Sequence, residues 1–163
     1  MSTLEEAAQD FLAQRRIAVA GVSRKGDTAA NIIYKRLRHT GYDVFPINPL
    51  ATEVEGDPCF PDLAAIPGGV DGLVIATPPQ VATQLVRDCA ELGVSRVWMH
   101  RSFGQGSVDD EAVRLAQEMG LTIIPGSCPM MFCEPVDIFH KCMRWYFRVS
   151  GSQPQPAGYG GNS

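Results

Sequence analysis

Ile17-Ala18-Val19-Ala20-Gly21-Val22-Ser23-Arg24-Lys25-Gly26 is a short apolar run that opens into a Gly-x-Ser loop, and a helical pattern begins just beyond it at Thr28. A strand, a glycine turn and a helix in that order make the first unit of a doubly wound α/β domain. In the usual G-x-G-x-x-G turn the first glycine makes the tight bend and the second lets a pyrophosphate approach the backbone. Gly21 holds the first place and Ser23 the second. A hydroxyl can still donate to a phosphate, and free N–H groups at the helix start can face one.

Outward from this stretch, apolar periodicity supplies the remaining elements. Leu4, Ala8, Phe11 and Leu12 recur at helical spacing before the first strand, expected over Arg16 to Val22. The helix from Thr28 to Arg38 gathers Ala30, Ile33, Tyr34 and Leu37 on one face, and Gly41 ends it. Asp43 to Ile47 reads as a second strand, stopped by Asn48-Pro49, and a Pro- and Gly-punctuated connection runs to Val70 with a helical turn expected at Asp62 to Ile66. Gly72 to Ala76 is a third strand, leading into Thr77-Pro78-Pro79 and a helix with Val81, Leu85, Cys89 and Leu92 inward.

The fourth strand is Arg96 to His100, followed by a loop to Gly106. Ser107-Val108-Asp109-Asp110 has the form of a capping box, and Ala112, Leu115, Ala116 and Met119 face inward after it. Leu121 to Ile124 is the fifth strand, and a last helix over about Val136 to Val149 is expected to bury Phe139, Met143 and Phe147. Continuous apolar strands alternating with helices indicate a parallel sheet covered on both faces. The fold class is α/β, a Rossmann-like doubly wound five-stranded parallel sheet of order 3-2-1-4-5 with flanking N- and C-terminal helices. That order puts the switch point between the first and fourth strands, so the loops after Ala20 and His100 are expected to line the crevice.

At 163 residues and 45 % hydrophobic, with 20 % charged, the chain has the balance of one globular domain, expected over residues 1–150. Residues 151–163 are Gly, Pro, Gln and Ser with Tyr159 as the large apolar residue, and are expected to form a flexible tail. The acidic, polar N-terminus and the lack of a long apolar run point to a cytoplasmic protein with no membrane partner. A net charge of −4 argues against nucleic acid, whose binding draws on a broad basic surface. Cys59, Cys89, Cys128, Cys133 and Cys142 are odd in number and scattered, so reduced thiols are expected. No metal-ligand set is assigned, because four residues separate Cys128 from Cys133 and no second pair completes a zinc site.

An NAD site calls for Asp or Glu at the end of the second strand to hold the ribose hydroxyls. Asn48 stands there instead. Gly21-Val22-Ser23, Asn31 at the helix start, Asn48-Pro49 after the second strand, Cys59-Phe60-Pro61, Thr77-Pro78-Pro79 and Trp98 on the fourth strand, taken in order, resemble the stand-alone CoA-binding domain family. That family is similar to the nucleotide-binding domain of the succinyl-CoA synthetase α subunit, and the resemblance runs from about Ile17 to Cys128.

The resemblance implies CoA or acyl-CoA as ligand. It implies that the loop and helix start, here Ser23, Arg24, Lys25, Ala30, Asn31 and Ile32, hold the pyrophosphate, and that adenine and ribose sit over Asn48-Pro49. A missing carboxylate there leaves room for a 3′-phosphate that an Asp would repel. Leu50 follows where family members often carry Lys or another polar residue, and His100 stands where relatives usually have Gln. Thr77, Pro78 and Pro79, at the carboxyl edge of the third strand, are expected beside the ligand, and Pro79 also suits a first helical position.

The synthetases need a phosphohistidine segment and a partner catalytic domain, so the reading for this chain is a sensor, carrier or regulatory subunit with no catalytic residue assigned. Two alternatives stay open: an NAD(P)-binding oxidoreductase subunit, and a thiol-active enzyme or CoA-disulfide partner using Cys128 with His100 nearby. Lys141, Arg144 and Arg148 make a basic stripe on the last helix, around Trp145. With Met130-Met131-Phe132, this C-terminal region is expected to carry a homodimer contact.

Overall fold

The structure is a computed structural model that describes residues 3–158. Five parallel strands form the central sheet: β1 (Arg16–Ala20), β2 (Asp43–Ile47), β3 (Gly72–Ile75), β4 (Arg96–Met99) and β5 (Thr122–Pro125). Five α-helices accompany them: α1 (Leu4–Leu12), α2 (Ala29–His39), α3 (Ala82–Leu92), α4 (Asp110–Glu118) and α5 (Ile138–Val149). Successive strand side chains point to opposite faces, so each strand feeds two cores. Ile17, Val19, Val74, Trp98 and Ile124 pack with α1 and α2, while Ala18, Ala20, Leu73, Ile75, Val97, Met99 and Ile123 pack with α3 and α4.

The Rossmann-like class holds, but the strand order is 2-1-3-4-5 rather than 3-2-1-4-5. β3 lies against β1, with Ile17 to Ala20 in register with Gly72 to Ile75. Two local features make β2 the edge. Pro46 has no N–H to give a second neighbour, and its carbonyl accepts from Phe60 N–H at 3.0 Å while Asn48 N–H donates to Phe60 O at 2.9 Å, so the returning chain covers that side. At the other end, Asp71 N–H donates to Arg16 O at 2.8 Å and the Asp71 carboxylate accepts from Arg16 N–H at 2.9 Å, which delivers the chain to β1.

The long connection contains a hairpin that periodicity did not reveal: Glu53–Val54 pairs antiparallel with Asp57–Pro58. Its turn residues Glu55 and Gly56 both have positive φ, 51° and 80°, as a type I′ turn demands. The expected helical turn at residues 62–66 is a single turn closed by Ile66 N–H donating to Leu63 O at 3.2 Å between bends, with the Asp62 carboxylate accepting from Ala65 N–H at 2.9 Å.

Helix ends also refine the expectations. α4 is capped by Asp109, whose carboxylate accepts from Ala112 N–H at 2.8 Å, and Ser107 is buried ahead of it. α3 buries Ala82, Val86 and Cys89 while Val81 and Leu92 are exposed, and Met119 is exposed beyond α4. α5 buries Met143 alone, leaving Phe139 exposed. Phe11 of α1 meets Trp98 edge-on at 5.4 Å, in space that a side chain at Gly72 would fill, since a Cβ there would stand 2.9 Å from the Phe11 ring.

Within the segment read as a flexible tail, Ala157 exchanges two 2.9 Å backbone hydrogen bonds with Ile123 on the outer edge of β5. Tyr159 and the rest of that segment lie outside the described residues. All five cysteines are free, and no helix of the described residues is long and apolar enough to cross a membrane.

Candidate functional site

The strand order moves the switch point to the gap between β1 and β3, so the loops after Ala20 and Ala76 face each other there. Gly21 makes this possible. Its φ is 100°, and a Cβ on it would stand 2.4 Å from Ala76 O. Ser23 does not have positive φ, so no glycine is required at the second position of the motif.

Asn31, fully buried at the start of α2, shapes the loop. Its Oδ1 accepts from Ser23 N–H at 2.8 Å and from the Thr28 hydroxyl at 2.6 Å; its Nδ2 donates to Ser23 O at 2.8 Å and Glu55 Oε1 at 2.7 Å. Every donor and acceptor of that amide is therefore engaged by protein. Ser23 Oγ accepts from Lys25 N–H at 3.1 Å, which leaves its O–H to donate outward. Thr28 caps α2 by accepting from Asn31 N–H, and the N–H groups of Ala29 and Ala30 have no acceptor among the described residues. The side chains of Arg24 and Lys25 are exposed and without a partner among the described residues. Loop, free helix-start N–H groups and two free cations thus concentrate positive potential at one corner, the chemistry that suits an anion.

The other expected residues divide. Val22 and Ala30 are buried in the α1–α2 core and can offer only backbone. Asn48 Nδ2 donates to Val22 O at 3.0 Å and its Oδ1 accepts from Leu50 N–H at 2.8 Å, so Asn48 ties the two loops together. Beside Gly21, a cleft of about 500 Å³ is lined by Asn48, Pro49, Leu50, Thr77 and Pro78 from the strand ends. Ile32 faces a separate groove on the outer side of α2, and Pro79 opens the 3₁₀ turn ahead of α3 without lining the cleft.

His100 is set one strand away from the crevice, which corrects the expectation that its loop forms one wall. β3 lies between β1 and β4. His100 Nε2 is 3.2 Å from Ser102 Oγ. Burial, and then the charge of His140, lower its pKa below the ordinary histidine value, so it is a neutral imidazole near pH 7. Burial pushes the Cys128 thiol up to about 12, which keeps it protonated and poorly nucleophilic at neutral pH.

Several lining residues carry no local signal in the sequence. Asp62, Gln84, Leu85 and Asp88 reach the cleft from the long connection and from α3, because β3 sits beside β1. Glu55, which braces the loop without lining the cleft, carries no such signal either: in the left-handed region at φ 51°, it brings its carboxylate to Asn31 and to Lys35 Nζ, 3.6 Å away. Such a non-glycine conformation is held only where surroundings over-determine it.

A parallel doubly wound sheet with a braced glycine loop and a cleft at its switch point defines a Rossmann-like α/β domain. The family model for the CoA binding domain matches residues 15–134. The chain belongs to that family, as the motif resemblance implied. Acetate–CoA ligase [ADP-forming] I of Archaeoglobus fulgidus is 28 % identical over 118 residues, covering 69 % of this chain and 17 % of the ligase. The chain therefore spans less than a fifth of that relative. The uncharacterised protein YneT of Bacillus subtilis is 27 % identical over 114 residues, 70 % of this chain and 82 % of YneT. A solved structure of a hypothetical protein from Pyrococcus horikoshii has a TM-score of 0.75 at 30 % identity, covering 83 % of this chain and 93 % of that one.

Proposed function

We propose that the chain binds CoA or an acyl-CoA across the carboxyl edge of the sheet, as a cytoplasmic sensor, carrier or regulatory subunit without chemistry of its own. The observation that carries the reading is the anion corner at Ser23, Arg24 and Lys25, held in shape by Asn31, directly beside the cleft at Asn48-Pro49. The pyrophosphate takes the Ser23 hydroxyl, the free N–H groups of Ala29 and Ala30, and the two cations. Adenosine lies in the cleft over Asn48-Pro49 against Thr77 and Pro78. The pantetheine arm runs past the end of β3 toward His100.

Asn48, its amide engaged with Val22 and Leu50, stands at the end of β2 where an NAD site carries its ribose-binding carboxylate, which favours CoA over NAD. The protonated Cys128 thiol favours binding over disulfide exchange.

Calorimetry and thermal melts with CoA, dephospho-CoA and NAD test the reading. CoA is expected to bind and to raise the melting temperature, and replacing Arg24 and Lys25 together by Ala is expected to weaken it about tenfold while leaving the unliganded melt unchanged. Binding of NAD but not CoA would overturn the assignment. Equal binding of CoA and dephospho-CoA would place the 3′-phosphate in solvent.

A further inference from the structure

α5 presents to solvent a face that no other element of the described residues covers. Ile138 is 81 % exposed, Phe139 60 %, Trp145 66 %, Tyr146 55 % and Val149 67 %, and Cys142 is exposed between them. Ile138, Cys142, Trp145 and Val149 follow one another at intervals of four, three and four, the spacing that keeps one seam of a helix facing a partner helix. Phe139 and Tyr146 flank the seam on one side. Phe147, 5.6 Å from Tyr146, turns away from this face and packs against the core.

We infer that this face is the contact between two copies of the chain. Contiguous apolar patches beyond a few hundred Å² mark interaction sites. Aromatic side chains offer about 150–250 Å² each, and at these exposures the rings, with Ile138 and Val149, present roughly 600–800 Å², close to the ~800 Å² that each partner gives to a standard interface.

Charge selects a second copy as the occupant. A two-fold contact lays a patch on itself, so cations inside it would face each other. The helix carries no acidic residue over Ile138–Val149, yet its arginines are drawn off the seam. Arg144 pairs with Glu5 at 2.6 Å, Arg148 pairs with the same carboxylate, and Arg144 also lies over the Phe132 ring at 4.7 Å. Lys141 stands on the flank opposite Phe139 and Tyr146. The seam that remains is uncharged, so laying it on itself brings no like charges together. The contact stands independently of the ligand.

Sedimentation velocity of the full chain over a concentration series tests this. The wild type is expected to be a dimer, and Trp145→Glu and Ile138→Glu, each altering an exposed side chain, are expected to raise its dissociation constant roughly 30-fold or more, the loss typical of a central aromatic or apolar anchor. Unchanged far-UV circular dichroism is expected for both. Cys142 is the exposed thiol while the other four are buried, so maleimide should label it slowly in the wild type at high concentration and fast in Trp145→Glu. A wild-type monomer at the highest concentration, or a dimer that both variants and the labelling leave untouched, would overturn the inference.

Discussion

Asn31 sits inside the protein with both halves of its amide in use, joining Ser23, Thr28 and Glu55 through its side chain. Removing such a group strands its partners, and an unpaired buried donor or acceptor costs about 1–3 kcal/mol. Asn31→Ala is expected to lower stability by about 2–4 kcal/mol in urea unfolding, and to weaken CoA binding because Ser23 loses its fixed position. The sequence placed Asn31 at the site through its resemblance to a family pattern, and the geometry assigns it the work of a brace. Gly21 was legible for a physical reason, because a strand that turns sharply into a helix needs a left-handed residue. Glu55 was not, since nothing in Glu53-Val54-Glu55-Gly56 reveals that its carboxylate will reach an amide 24 positions away.

At the level of elements, five strands and five helices were readable because each carries its own apolar period. The order of the strands was not, because order is decided by what the connections do. Pro46 held the relevant hint: a residue without an N–H belongs on an edge strand, which puts β3 on the free side of β1. With that placement the cleft gained Asp62 and Asp88 and lost the His100 loop as a wall. The outer edge of β5 follows the same logic. Ala157 occupies its backbone groups at Ile123, and a Cβ on Gly158 would stand 2.2 Å from Leu121 O, so the segment lies close against the strand. Deleting the residues after Ser150 is expected to cost about 2–4 kcal/mol from three lost backbone bonds, two to Ile123 and one from Ser152 to Phe147, and to promote aggregation through the bared edge, which denaturation and light scattering would register.

Taken over the whole molecule, the groups held below their ordinary values act in one direction as pH falls, while the raised tyrosines and buried thiols act on the alkaline side. Tyr34 donates to Asp57, Arg144 to Glu5, and the His140 backbone N–H to Asp137; each bond holds its carboxyl below the ordinary range. Burial holds His100 below its ordinary 6.5. A group whose folded pKa is depressed contributes stability above its unfolded value and loses it as pH falls through the folded one. The melting temperature is therefore expected to be level at neutral pH and to fall first below 6.5, where unfolded His100 takes up a proton, then again below the ordinary carboxyl values of 3.8 and 4.5. His100→Gln should remove the first step and keep the second in calorimetry across pH. The two tryptophans divide the molecule in another way. Trp98 is fully enclosed, with its indole N–H on Gly126 O at 3.0 Å, whereas Trp145 stands out on α5. The chain thus carries two intrinsic fluorophores of opposite solvation, one whose emission follows the integrity of the sheet and one whose emission and quenching follow whatever covers the last helix.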